Sequence, residues 1–378
     1  MLCPFFAADR CRSCSAMATP YSLQLQAKQQ QLQQLLAAFL QAELLPPVPS
    51  AGRHFRNKAK MVVLGSAEAP VLGIIDQQQQ PLDLTACPLY PAAFASAFAH
   101  IVAFIRLVKL QPYDLQSKKG ELKYILLTQS MASGRWLLRF VLRSQHQLAA
   151  IRKYLPQLQQ QWPELEVCSV NLQPEHKAVL EGEQEFILTE AQMLAERLND
   201  VPLYLQPQGF FQTNPQLAAQ LYQTARDWTA ELPLVRVWDL FCGVGGFALH
   251  LAKPGRSLTG IEISAAAIAC ASRSAAEMQL SDFHFQALDA AAFASAQQQS
   301  PDLLVVNPPR RGLGAGLCQT VSQLRPQWLL YSSCNPQTLA ADLALLSDYQ
   351  LLKAQLFDFF PHTSHAEVLC LLQLKTGH

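Results

Sequence analysis

From about residue 235 the chain alternates strand-like and helix-like segments, and this alternation constrains the fold more than anything else in it. VRVWDLF, SLTGIEI, DFHFQAL, PDLLVVN and QWLLYSS read as strands, and Ala-rich apolar stretches such as 264–278 read as helices between them. Runs that stay apolar along their length suit strands buried on both faces, so the order predicts an α/β fold with a parallel sheet covered on both sides. A last run, AEVLCLLQLK over 366–375, reads as a closing strand.

The first strand runs into Asp239-Leu-Phe241-Cys-Gly243-Val-Gly245-Gly246, ahead of a helix over 247–252. Glycines there let the backbone turn tightly and approach a ligand without a Cβ clash. Glu262 ends the second strand, 23 residues after Asp239, where a carboxylate accepts both hydroxyls of a ribose. Asp289 ends the third, a place where an adenine amino group is often met. The loop is not GxGxxG with a phosphate-cradling helix start, which favours S-adenosylmethionine over NAD. Net charge points the same way: residues 178–378 carry 11 Lys and Arg against 18 Asp and Glu, suited to a sulfonium cation.

Residues 53–177 are the opposite, with 15 Lys and Arg against 8 Asp and Glu, a net +7 that could attract a polyanion. Short β-like runs (MVVLG, VLGIID, YILLTQS, WLLRFVLR) broken by helical stretches suggest an α+β domain here. Arg53-His-Phe55-Arg56-Asn-Lys58-Ala-Lys60 offers cations for phosphates and an exposed ring for stacking on a base, with Lys118, Lys119 and Lys123 extending it. Ahead of this domain, residues 22–45 predict a helix with Leu23, Leu25, Leu32, Leu35, Leu36, Phe39 and Leu40 as its apolar stripe, the glutamines as its polar face, and Pro46, Pro47 and Pro49 as its end. Cys3, Cys11 and Cys14 have metal-site spacing, and with Cys87 give four thiolates, which suit zinc or an iron–sulfur cluster equally. No apolar run approaches a membrane span and no secretory signal is evident at the start, so a soluble cytoplasmic protein is expected, a monomer needing no protein partner.

Five ordered stretches carry a family resemblance: Phe210-Phe-Gln212-Thr-Asn214-Pro215, the glycine loop, Asn307-Pro308-Pro309-Arg310-Arg311-Gly312, Tyr331-Ser-Ser-Cys334-Asn335-Pro336 and His365-Ala-Glu367. Together they resemble the signature motifs of the RNA uridine C5-methyltransferases, and among these the branch acting at uridine 747 of 23S ribosomal RNA. The resemblance implies a Rossmann-like methyltransferase domain and a smaller α+β domain holding a [4Fe–4S] cluster on Cys3, Cys11, Cys14 and Cys87, with no RNA-binding TRAM barrel ahead of it. It implies Cys334 as the nucleophile toward carbon 6 of uracil, and Glu367 as the base that takes the carbon 5 proton. Gln212, Phe241, Glu262 and Asn307 resemble the cofactor-binding positions. Many relatives have Asp at position 307; an amide cannot act as a base, so no proton transfer is assigned there, and the uridine-747 branch shares the Asn. The implied domains are 1–14 with 47–187, and 15–46 with 188–378. Methylation of transfer RNA or of another ribosomal site, and a non-catalytic RNA-binding assembly factor, are the competing readings.

Overall fold

A computed structural model describes residues 3–39, 41–176 and 179–375. The chain divides into two compact units: Met1–Cys14 with Gly52–Glu196, and Ser15–Ala51 with Arg197–His378. The boundaries thus fall at 51 and 196 rather than at 46 and 187.

The first unit is built on a seven-stranded sheet. In spatial order its strands are Pro81–Asp83, Pro70–Ile75, Lys58–Gly65, Leu122–Gln129, Trp136–Leu142, Leu165–Leu172 and Gln184–Ile187. All neighbours are antiparallel except Trp136–Leu142 with Leu165–Leu172, which are joined through the helix Leu148–Gln161; a parallel pair needs such a crossover. Phe94, Phe98, Ile101 and Phe104 of the helix Ala93–Val108 fill one side of the core, against Met61, Ile125, Leu138 and Phe140.

The second unit holds the predicted α/β sheet. Its strands are β1 (Arg236–Leu240), β2 (Ser257–Glu262), β3 (Phe283–Ala287), β4 (Leu303–Val306), β5 (Trp328–Ser333), β6 (Tyr349–Phe357) and β7 (Glu367–Leu374). The spatial order is Glu43–Leu44, β6, β7, β5, β4, β1, β2, β3. β1 to β5 are mutually parallel, with helices between them, and β7 runs antiparallel between β5 and β6. The connection 358–366 between β6 and β7 carries no helix, and without a crossover the strand must return antiparallel. The order reverses at β1/β4, the switch point outside whose carboxyl ends ligands bind.

The N-terminal helix departs from its sequence pattern. It spans Tyr21–Leu35, ten residues short of Leu45, and Glu43–Leu44 pairs in parallel with Lys353–Ala354 of β6. Strand addition at a sheet edge supplies hydrogen bonds that the isolated helix end lacks, and most helical stability in proteins comes from packing. Leu32 and Leu36 do enter the core, beside Trp238, Leu240 and Leu304, but Leu23 is 52% exposed, whereas Gln24 and Lys28 are buried. Leu40 lies outside the described residues. Among the described residues, no helix is long and apolar enough to cross a membrane.

Candidate active site

Asp239 is the fourth residue of β1 and is fully buried. Its Oδ2 accepts the Ala248 N–H at 3.0 Å, while Oδ1 has no partner. Burial raises this carboxyl to about 8. The chain then turns through three left-handed residues, Phe241 (φ 66°), Gly243 (φ 55°) and Gly245 (φ 84°). For Phe241 that conformation costs on the order of 1 kcal/mol, which the rest of the turn must hold. A Cβ at Gly246 would lie 2.5 Å from the Tyr222 ring, so only glycine lets the following helix seat against it; a Cβ at Gly243 would meet nothing within 4 Å. The open side of the loop therefore faces space a ligand can fill.

Glu262, at the end of β2, borders that space. Its Oε2 accepts the Gly243 N–H at 3.3 Å and its Oε1 the Ser264 N–H at 3.0 Å, which orients the carboxylate toward the glycine loop. Asp289 stands past β3, exposed, and its Oδ1 caps the helix Ala290–Ser295 by accepting the Ala292 N–H at 2.9 Å. It has a structural task as well as the sequence-expected one. Asn307 follows β4, with its N–H bonded to Leu240 O at 3.4 Å. Gln212 is buried, and the adjacent Asn214 caps the helix Pro215–Trp228 and donates to Ser50 Oγ at 2.8 Å.

Cys334 and Glu367 come together through strand register. In the antiparallel pair of β5 and β7, Ser333 faces Val368 and Ser332 faces Leu369. Cys334 follows directly after β5, and Glu367, the first residue of β7, directly precedes Val368. Side chains alternate along a strand, so Ser332 and Glu367, two positions before Leu369, share one face of the sheet, and the Cys334 thiol stands within reach of the Glu367 charge. Ser332 Oγ–H donates to Glu367 Oε1 at 2.5 Å, and Glu367 is 3% exposed. Burial raises the Glu367 carboxyl to about 7, against the lowering effect of that hydrogen bond. Cys334 is half-buried; burial and then the charge of Glu367 raise its thiol, while Arg310 lowers it.

Three residues tie the loop after β4 to the loop after β5. Asn335 Nδ2 donates to Arg310 O at 3.1 Å, and Thr338 Oγ1 to the same oxygen at 3.2 Å. Buried Asp342 accepts from Leu313 N at 2.7 Å, Gly314 N at 3.1 Å and Tyr331 Oη at 2.6 Å. Arg310 and Ser332 sat inside quoted motifs without an assigned role. Their nearness to the thiol and to the carboxylate is what gives them one, and no spacing signal pointed to Tyr222 or Asp342.

In the first unit Cys3, Cys11, Cys14 and Cys87 are partly buried and form no disulfide. Each lies within electrostatic reach of others: burial, then Cys87, Cys11 and Cys3, push the Cys14 thiol up to about 12. Among the described residues, no three His, Cys, Asp or Glu groups stand in a geometry that would hold an ion. Of the basic stretch, Arg53 and Lys60 are exposed, and Arg56 and Lys58 are half-buried. Arg56 Nε donates to Lys58 O at 3.1 Å. Phe55 corrects the sequence reading: at 7% exposed it packs inward and is no stacking platform. Lys123 is also buried, with its ammonium on Gln173 Oε1 and Glu175 O and over the Tyr113 ring, so it does not extend a basic surface.

Comparison with known proteins sets this geometry in context. Residues 20–375 match the family model of the tRNA (Uracil-5-)-methyltransferases. The chain is 55% identical, over 98% of its length and 99% of the relative's, to the 23S rRNA (uracil(747)-C(5))-methyltransferase RlmC of Enterobacter sp. strain 638. It is equally similar to the protein of that name from Escherichia coli O139:H28. Among solved structures it resembles the Pyrococcus abyssi tRNA (uracil-54, C5)-methyltransferase in complex with S-adenosyl-L-homocysteine, with TM-score 0.79 and 25% identity over 96% of this chain and 85% of that one.

Proposed function

The chain belongs to the tRNA (Uracil-5-)-methyltransferase family, and from that premise we propose that it methylates carbon 5 of uridine 747 in 23S ribosomal RNA, with S-adenosylmethionine as donor. The observation that carries the reading is Cys334, just past the carboxyl end of β5, within electrostatic reach of the buried Glu367 that opens β7. The residues fit the donor. Gly243 leaves open space beside an oriented Glu262 carboxylate, which suits a ribose, and Asp239 presents a buried oxygen without a partner. Gln212, Phe241, Glu262, Asp289 and Asn307 would hold it, and its sulfonium supplies the methyl group.

The chain's own residues do the rest. Carbon 5 of uracil is a weak nucleophile, and a thiolate adding at carbon 6 gives an enolate with electron density at carbon 5. Cys334 is that thiol; burial and the charge of Glu367 hold it above its ordinary value, and the charge of Arg310 works against them, toward the ionised form. Once carbon 5 carries the methyl group, Glu367 takes its proton; the C–H electron pair forms the C5=C6 bond and the C6–S bond breaks toward sulfur. A carboxyl raised to about 7 is matched to this work at neutral pH. Ser332 holds it in place, and an unpaired base flipped out of its stack is the form of uridine that can reach it.

The four cysteines of the first unit, which lie within electrostatic reach of one another, are sulfur donors of the kind a [4Fe–4S] cluster takes, and a cluster held by them would fasten the N-terminal segment to the sheet. Arg53, Arg56, Lys58 and Lys60 are the cations proposed to pair with RNA phosphates. Mass-spectrometric mapping of 5-methyluridine in 23S ribosomal RNA from cells with and without the protein tests the function. Loss of methylation at position 747 alone is expected; an unchanged map, or loss at another uridine or in transfer RNA, would overturn the site assignment.

A further inference from the structure

The helix Tyr21–Leu35 buries residues that apolar packing alone would not choose. Gln24, Lys28 and Leu32 face inward on it, and the first two stand one turn apart, so they share a face. Both reach the connection 358–366, which leads into Glu367. Lys28 Nζ donates to Asp358 Oδ1 at 2.6 Å, to His365 O at 2.7 Å and to Phe360 O at 3.2 Å. An ammonium has three N–H donors, and here three acceptors meet them. Gln24 holds the middle of the same connection: its Oε1 accepts the His362 N–H at 2.8 Å, and its Nε2 donates to Thr19 O at 2.7 Å and Ala16 O at 3.0 Å. His362 is left-handed, at φ 66°, a shape that a non-glycine residue adopts only at a cost, so the helix contacts help hold a connection its own backbone does not favour.

Burying this ion pair is expensive. The Lys28 and Asp358 side chains are 7% and 0% exposed, and desolvation costs several kcal/mol per ion, so apolar residues of similar size often stabilise a fold as well or better. What an apolar residue cannot do is grip both ends of the connection at once. The grip at His365 O lies two residues before Glu367, which opens β7 opposite Phe357 of β6. Lys28 therefore fixes the backbone at the point where the chain enters the strand that carries Glu367.

We propose that Lys28 is a positioning residue for the base, fixing where the Glu367 carboxylate stands against the Cys334 adduct and so governing release of the methylated uridine. The inference rests on the reading of Glu367 as the base. In the step it governs, the carbon 5 proton passes to the Glu367 carboxylate, the C–H pair forms C5=C6, and the C6–S pair returns to Cys334.

The test uses the full-length holoprotein, 23S RNA fragments containing the target uridine, and S-adenosylmethionine, with the covalent complex followed on denaturing gels. Lys28→Met removes all three contacts but leaves Asp358 buried without its cation. Lys28→Met combined with Asp358→Asn leaves no buried charge and is expected to fold. Since a misplacement of about 1 Å can cost on the order of 100-fold in rate, the double variant should lose at least about tenfold in the rate at which the complex decays. Its formation rate and the KM for RNA should stay within about twofold of the native values. A purely structural role would slow formation and decay together, or neither, and either result overturns the proposal. Glu367→Gln separates the two readings. If it traps the complex while the double variant releases at the native rate, only the role of Lys28 fails. If Glu367→Gln itself releases normally, the base assignment fails and this inference with it.

Discussion

Replacing Glu367 by Gln should slow the enzyme and stabilise it, and the second effect has a pH signature that can be worked out from the structure. The carboxyl is 3% exposed and burial raises it from 4.5 to about 7. Because the folded-state value lies above the unfolded one, the folded protein keeps a proton that the unfolded chain releases between pH 4.5 and 7. The stabilisation is therefore fully present below pH 4.5 and is lost as pH rises through 7. At about 1.4 kcal/mol for each tenfold in affinity for the proton, the ionised form costs the fold about 3 kcal/mol at pH 8. Gln carries no charge and still accepts the Ser332 hydroxyl, though its extra N–H, left without a partner, takes back about 1–2 kcal/mol. A net gain of about 1–2 kcal/mol remains at pH 8 and should raise the melting temperature by on the order of 5 °C. At pH 4.5 both side chains are neutral and the gain should vanish, leaving only the cost of the extra N–H. Thermal melts of both proteins at the two pH values make the comparison. Turnover by the variant should fall roughly 100- to 10,000-fold. A variant less stable than the native protein at pH 8, or one whose stability differs from it equally at both pH values, would refute the reasoning.

Gly246→Ala would place a methyl 2.5 Å from the Tyr222 ring. Overpacking of this kind costs about 1–3 kcal/mol, and titration calorimetry with S-adenosylhomocysteine should show weakened binding; unchanged affinity would mean that the loop does not depend on this packing. If the four cysteines hold the proposed cluster, the native protein should carry iron and visible absorbance, and Cys87→Ser should lack both. Full iron retention, or stoichiometric zinc in the native protein, would contradict the cluster assignment.

The catalytic sheet was legible because its central strands are covered on both faces: runs read as strands at 235–333 fall at β1, β2, β4 and β5, and at the largely exposed edge strand β3. The strand Tyr349–Phe357 was not read, since YQLLKAQLF mixes polar and apolar residues as helices also do, and its pairing with Glu43–Leu44 depends on contacts far apart in sequence. The N-terminal helix misled for a related reason. Its leucines carry helical spacing, but the ion pair of Lys28 with Asp358 decides which side faces inward, and no local pattern encodes a partner 330 residues away. Phe55 shows the limit of composition: an aromatic among cations looks exposed until the sheet beneath it is built. The pairing of Cys334 with Glu367 lies between these cases. Each stands in a recognisable motif, but only the register of β5 with β7 makes them neighbours.

The most direct test of the chemistry is to incubate the protein with S-adenosylmethionine and RNA carrying 5-fluorouridine at the target position, digest the denatured complex, and sequence the nucleotide-bearing peptide by mass spectrometry. Fluorine cannot leave as a proton does, so a methylated nucleotide should remain bonded to the sulfur of Cys334, with none recovered from a Cys334→Ala protein that still binds the RNA. A bond to any other residue, or undiminished methylation of ordinary RNA by Cys334→Ala, would contradict the account.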